Sequence, residues 1–160
     1  MKYFLIIGIT FLSGSLFAQK PDLVGKTTEE EIRSEHRVFD IYTDRYTPNS
    51  ESVAFLSKIE DSVKIYVLFG TWCHDSKKQI PAFMKTLEEA DNPLIEVEYI
   101  AVTRKKTDPE NYYIQWDLKL TPTFVIYRAE QELGRIIEEP TKRLEEDLVE
   151  ILAVGSTSDQ

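Results

Sequence analysis

Cysteine is almost absent from this sequence, since only one residue of that type, Cys73, occurs among 160. A single cysteine excludes any disulfide within the chain, so burial of apolar side chains must hold the fold together. The six glycines and seven prolines are too few for a collagen-like or low-complexity protein. The composition is that of about one globular domain, whose lone sulfur is either a small buried filler or the functional group.

Positive charge is also scarce. The chain has 19 Lys and Arg against 28 Asp and Glu, which gives a formal net charge of −9. Such a surface repels phosphate backbones, and nucleic acid is therefore not an expected partner. The two histidines, His36 and His74, are not spaced with Cys73 in a way that builds a closed metal site. The sequence predicts neither a metal nor a bound cofactor.

The longest mostly apolar run, residues 3–12, lies at the N-terminus. It follows Lys2 and precedes small residues that end at Ala18, which is the pattern of a cleaved secretory signal peptide. The run is shorter than the ~20 residues that span a membrane. We predict a signal peptide at residues 1–18, a periplasmic or extracellular protein, and no stable membrane insertion after cleavage. An uncleaved N-terminal anchor is the alternative.

Hydrophobic periodicity in the remaining chain predicts strands that alternate with helices. Predicted strands are residues 63–69, 94–102, 123–127 and 135–138, the last two joined as a hairpin. Predicted helices are residues 28–36, 50–60, 75–90 and 109–116, and a last helix capped by Thr141. The aromatic segment 38–48 is expected to be irregular. This order indicates an α/β protein with one sheet covered by helices.

The cysteine lies in the segment 70–76, where the first predicted core strand ends and the next helix begins. Open α/β sheets place their chemistry at this end of a strand. Unpaired backbone N–H groups at a helix N-terminus stabilise thiolate, the reactive form of cysteine. Protonated His74 would add to this effect and Asp75 would oppose it. The position therefore favours a functional role for Cys73.

Four features then occur in the order found in the thioredoxin superfamily, which the chain resembles over residues 50–153. They are the sequence Trp-Cys-x-x-Ser at residues 72–76, Pro81 five residues later, the segment 120–124, and a terminal amphipathic helix. The resemblance implies a thioredoxin-like fold, with a central mixed β-sheet flanked by helices and an extra N-terminal helical segment. We therefore predict that the chain after the signal peptide consists of an N-terminal extension at residues 19–48, a thioredoxin-like domain at 49–153 and a flexible tail at 154–160.

The resemblance also implies roles for individual residues. Cys73 matches the attacking cysteine, and Pro122 matches the proline whose preceding peptide bond is cis and lies against that sulfur. Thr121 matches the residue whose backbone pairs with a bound substrate chain. Trp72 and His74 would help to shape the same groove.

Two departures from the family pattern concern the release of a bound substrate. Ser76 stands in place of the second redox cysteine, and Val67 stands where many thioredoxins carry a buried acid. Without a second thiol, a mixed disulfide on Cys73 must wait for an external thiol. Ser76 could donate a hydrogen bond to the Cys73 thiolate, or it could be an ordinary residue of the first helical turn.

The sequence therefore predicts an exported protein that performs monothiol thiol–disulfide exchange through Cys73, as an oxidoreductase or isomerase-like protein. Its expected partners are protein thiols or disulfides, with a thioredoxin-like reductant as a candidate source of the resolving thiol. The alternative is a non-redox binding or client-trapping module on the same fold. Access of reagents to the sulfur distinguishes the two hypotheses.

Overall fold

A computed structural model describes residues 20–154 as one mixed β-sheet covered by helices. The strands of this region are β1 (Gly25–Thr27), β2 (Val63–Phe69), β3 (Ile95–Ala101), β4 (Thr123–Arg128) and β5 (Gln131–Ile137). The helices are α1 (Glu29–Glu35), α2 (Arg37–Arg45), α3 (Ser50–Leu56), α4 (His74–Ala90), α5 (Tyr112–Gln115) and α6 (Leu144–Val154). The predicted α/β fold class, a central mixed sheet flanked by helices, is confirmed.

The strands lie in the order β1-β3-β2-β4-β5, which places β2 in the middle of the sheet. Strand β2 runs parallel to β3 and antiparallel to β4, and β1 and β5 form the antiparallel edges. Because β2 is covered on both faces, it reads as a nearly continuous apolar run in the sequence. Its carboxyl end, at Phe69, leads directly into the segment that carries Cys73.

Two apolar layers cover the sheet. The larger core lies under α1, α2, α3, α4 and α6 and includes the odd-numbered residues of β2 from Val63 to Phe69. The smaller cluster is centred on Leu68, Ile100, Trp116 and Val125 on the opposite face, with Tyr112 of α5 packed against it. The alternation of β2 side chains between two apolar layers is the period-two geometry of a strand.

The N-terminal segment differs from its sequence-based prediction, because residues 38–48 are not irregular. Helix α2 occupies most of that segment and packs on α4. Its fully buried residues are Phe39 and Thr43, one turn apart, and the Thr43 hydroxyl donates to the Phe39 carbonyl at 2.8 Å. Two buried positions are too few to produce a clear helical period in the sequence. The helix is therefore stabilised mainly by its packing on α4.

Strand β1 was not predicted either, since it has only three residues and depends on pairing with the edge of β3. The first helix was predicted correctly. Thr28 caps α1 in a reciprocal capping box with Glu31. That carboxylate accepts hydrogen bonds from the Thr28 backbone and from the Thr27 and Thr28 hydroxyls, which lower the pKa of Glu31.

Two further helix ends differ from prediction for identifiable reasons. Helix α3 stops at Leu56 instead of continuing to residue 60, because the Asn92 side chain donates to the carbonyls of Leu56 and Ile59 at 2.8 and 2.9 Å. Thr141 does not cap α6, which begins at Leu144. The backbone N–H and the hydroxyl of Thr141 instead donate hydrogen bonds to the carboxylate of Asp147.

The segment predicted to be an N-terminal extension contributes to the same sheet and core as the rest of the chain. Strand β1 belongs to the sheet, and Ile32 and Phe39 lie in the larger core. The Glu145 carboxylate of α6 is fully buried and accepts hydrogen bonds from the Tyr46 hydroxyl and the Asn49 backbone N–H, both at 2.8 Å. The domain boundary at residues 48 and 49 stays a prediction.

The predicted signal peptide, residues 1–18, lies outside the described residues, as does almost all of the predicted tail. Within residues 20–154, none of the helices combines the length and the apolar character needed to cross a bilayer.

Candidate active site

Cys73 is positioned by the short turn between β2 and α4. Its backbone N–H donates to the Gly70 carbonyl at 2.9 Å, which closes the turn after Phe69. Cys73 is the N-cap residue of α4, with extended backbone angles of φ −78° and ψ 134°. Its side chain makes no capping hydrogen bond to the helix. The sulfur is therefore available for a partner on another element.

That partner is the segment before β4. The Cys73 thiol donates to the Thr121 carbonyl at 3.1 Å, and the peptide bond between Thr121 and Pro122 is cis. The segment of Thr121 and Pro122 therefore lies against the sulfur, and its role in docking a substrate chain stays a prediction. Cys73 is buried, with 8% of the residue exposed. Attack on a disulfide requires the thiol to release its hydrogen bond to Thr121.

Ser76 supports the turn rather than the sulfur. It is fully buried, and its hydroxyl oxygen accepts a hydrogen bond from the Gly70 N–H at 3.2 Å. In the part of the chain that the structure describes, no hydrogen bond joins Ser76 to Cys73. The serine hydroxyl instead satisfies a backbone N–H that would otherwise be buried without a partner, and its hydrogen bond to the Cys73 thiolate stays a prediction.

Trp72 lies on the other side of the turn. Its indole Nε1 donates to the Val102 carbonyl at 2.9 Å, just beyond the end of β3. The guanidinium of Arg104 lies 5.8 Å from the centre of its ring system. A Cβ atom on Gly70 would lie 2.5 Å from the indole, so only glycine permits this close approach. The ring is consequently held over the turn by both backbone and side-chain contacts.

His74, the first residue of α4, is exposed. It lies next to Cys73 along the chain, but no hydrogen bond between its ring and the sulfur is present in residues 20–154. The structure therefore brings Cys73, Thr121 and Pro122 together, and leaves His74 at the rim. Ser76 lies beneath the turn.

The sequence analysis missed the contacts that anchor this turn to the N-terminal segment. The Leu23 backbone N–H donates to the Thr71 hydroxyl oxygen at 3.2 Å, and the same hydroxyl donates to the Asp22 carboxylate at 3.2 Å. Thr71 is buried. These partners are separated by 48 or 49 residues, so no local pattern in the sequence could have indicated them.

Residues 20–154 contain no group of three or more His, Cys, Asp or Glu side chains placed to hold a metal ion. The chemistry available at the site is that of one partly accessible thiol, a helix N-terminus and the backbone of residues 121 and 122.

A helix that begins at a cysteine, a cis proline beside its sulfur and a mixed sheet between helices define a thioredoxin-like protein. The family model described as thioredoxin matches residues 25–151, and the chain belongs to that family. The match begins at β1, so most of the N-terminal segment falls within the family's span. No curated protein matches the chain.

Among the solved structures that this chain resembles, two cover more than four fifths of it. A Pseudomonas aeruginosa protein of unknown function has a TM-score of 0.57 and 18% sequence identity, over 81% of this chain and 87% of that one. An HIV epitope scaffold has a TM-score of 0.61 and 18% identity, over 83% of this chain and 93% of that one. At this identity the likeness concerns the fold alone.

Proposed function

We propose that this protein performs monothiol thiol–disulfide exchange through Cys73. The observation that carries the proposal is the position of the sulfur, which lies at the N-cap of α4 and against the Thr121 carbonyl. The thioredoxin family membership of the chain supports thiol-related chemistry at the same place.

The exchange consists of two balanced steps. The Cys73 thiol loses its proton to solvent, and the thiolate attacks one sulfur of a substrate disulfide. The old S–S bond breaks, a mixed disulfide forms on Cys73, and the leaving thiolate takes up a proton. The thiolate of an external thiol, for example that of a thioredoxin-like reductant, then attacks the substrate sulfur of the mixed disulfide. The bond between Cys73 and the substrate breaks, a new disulfide joins the external thiol to the substrate, and the Cys73 thiolate takes up a proton. The second step must be external, since the chain has no other cysteine.

The first expected result is a stable adduct on Cys73. Incubation with the neutral reagent 2-hydroxyethyl disulfide should attach one reagent thiol per protein, and the adduct should persist until another thiol is added. Intact-protein mass spectrometry measures both the formation of the adduct and its loss after a thiol is added. The Cys73→Ser variant, which differs by one atom at the site, should gain no mass.

The low exposure of the sulfur favours one second candidate, a non-redox binding module with an inert cysteine. In that case the native protein would resist the reagent at neutral pH, whereas the urea-unfolded protein would react fully. Rapid labelling of both states supports exchange, and labelling of the unfolded state alone contradicts it.

Export is also part of the proposal, and it rests on the signal-peptide pattern of residues 1–18. We expect the protein recovered from the cell envelope or the medium to begin at Gln19. N-terminal sequencing tests this directly. Recovery of an intact Met1 in the membrane fraction would favour the uncleaved anchor instead.

A further inference from the structure

A cavity of about 280 Å³ lies beside the cysteine turn and is unused by the exchange chemistry described above. The N-terminal segment forms one wall, and Thr71, Trp72 and Lys77 form the other. The volume is close to the lower end of the range for small-ligand sites, which suits a single side chain better than a large cofactor. We call it the cationic cavity because of the charges that line it.

Four cationic and two anionic side chains line the cationic cavity; they are Lys20, Arg37, Lys77 and Arg104, and Asp22 and Glu35. Both carboxylates are already paired. Glu35 lies 2.7 Å from the Lys20 ammonium, and Asp22 lies 3.2 Å from the Arg104 guanidinium. Arg37 and Lys77 have no ion-pair partner in residues 20–154. The cavity therefore carries an excess of two positive charges on a protein whose formal net charge is −9.

His36 also lines the cavity and leaves this charge count unchanged. Burial of its ring lowers the pKa of His36, so the imidazole is neutral at neutral pH. Its Nε2 atom is buried and has no hydrogen-bond partner among the described residues.

Two of the residues that line the cavity, Trp72 and Lys77, flank Cys73 along the chain, whereas the sulfur itself faces the Thr121 carbonyl. Trp72 precedes the cysteine, and the Lys77 backbone N–H donates to the Cys73 carbonyl at 3.2 Å. A group bound beside Trp72 and Lys77 therefore lies within one helical turn of the cysteine backbone. A substrate that fills the cavity and carries a disulfide nearby would meet the thiol at a raised local concentration.

We propose that the cationic cavity binds an acidic side chain of a peptide substrate, so that Cys73 exchanges preferentially with disulfides flanked by Asp or Glu. This inference rests on the proposed exchange function. It specifies the substrate class from the uncompensated charges of Arg37 and Lys77. Without such a cavity, the negative charge of the whole protein would slow exchange with acidic peptides.

The test compares two peptides that differ only in charge: acetyl-Ser-Glu-Cys-Glu-Ser amide and acetyl-Ser-Gln-Cys-Gln-Ser amide. Each is supplied as its mixed disulfide with 2-mercaptoethanol, and its exchange rate with the full-length protein is measured at low salt by mass spectrometry. We expect the acidic peptide to react about four-fold faster, since two partly exposed ion pairs contribute roughly a factor of two each. Added salt should reduce the preference.

The double variant Arg37→Gln with Lys77→Gln should abolish this preference. The matched control is Arg45→Gln with Lys58→Gln, which removes one Arg and one Lys that are exposed and lie outside the cavity. The control should keep the preference, and circular dichroism confirms that both variants fold. Equal rates for the two peptides on the wild-type protein, or equal loss in both double variants, overturn the inference and leave the exchange function intact.

Binding without chemistry separates this inference from the exchange function. The same peptides with serine in place of cysteine are titrated into the ¹⁵N-labelled protein. The acidic peptide should shift the backbone signals of residues 36–37 and 71–77, and the glutamine peptide should not. If neither disulfide peptide reacts but this binding occurs, the exchange function fails, while the binding of an acidic side chain by the cationic cavity is supported. If no signal shifts, the inference fails.

Discussion

Replacing Phe39 by alanine is expected to lower the free energy of unfolding by about 3–5 kcal/mol. Phe39 is fully buried in α2 and packs edge-to-face on Phe69, with ring centres 6.1 Å apart. The substitution removes an aromatic ring from the larger core and leaves a cavity between α2 and the carboxyl end of β2. Urea denaturation followed by circular dichroism measures the change.

Tyr42 provides a matched control in the same helix, because it is 48% exposed. The Tyr42→Ala variant removes a ring of similar size from the surface and should change stability by less than about 1 kcal/mol. Similar small effects for both variants would mean that the N-terminal segment docks loosely and does not belong to the core. A large effect for Phe39 alone would show that the segment and the sheet unfold together.

The Ser76→Cys variant is expected to convert the monothiol site into a dithiol site. Cys73 is the N-cap of α4 and Ser76 is its third helical residue, so the two positions lie within one helical turn. Disulfides accept Cα separations of about 4.4–6.8 Å, a range that suits residues of one helical turn. Mild oxidation should therefore consume both thiols. An adduct on Cys73 should be released without added thiol at least about 100-fold faster than from the wild-type protein, because the resolving thiol is intramolecular.

Ser76→Ala is the control for the structural cost of this change. Both variants remove the hydroxyl that accepts from the buried Gly70 N–H, and each should lose about 1–3 kcal/mol of stability. Only the cysteine variant can resolve the adduct. If Ser76→Cys remains reduced under mild oxidant while Cys73 reacts readily with external disulfides, the side chains at positions 73 and 76 do not face each other as we infer.

Much of the fold could be predicted from local sequence patterns. Strand β2 occupies the predicted residues, α4 begins one residue earlier than predicted, and β3 is one residue shorter at each end. These elements have strong apolar periods, and each is long enough for its period to be recognised. The position of Cys73 at a helix start also followed from the sequence, because a strand ending at Phe69 and an amphipathic helix leave the cysteine between them.

Other elements could not be predicted because their stability comes from distant partners. Strand β1 exists only by pairing with β3, and α2 exists by packing on α4. The orientation of the Ser76 side chain could not be predicted from local sequence patterns either. Its spacing from Cys73 suggested a contact with the sulfur, whereas in the structure its hydroxyl oxygen accepts a hydrogen bond from the Gly70 N–H.

By itself, the sequence determined the order of the main strands and helices, the single thiol and its place at a helix start, and the acidity of the whole protein. Only the tertiary structure decided which groups meet that thiol. The Thr121 carbonyl lies 48 residues from Cys73 along the chain, and the cations of the cationic cavity come from residues 20 to 104. Local periodicity reports which face of an element is apolar, whereas contacts between elements depend on how the sheet and helices pack together, and that arrangement forms only when the whole chain folds.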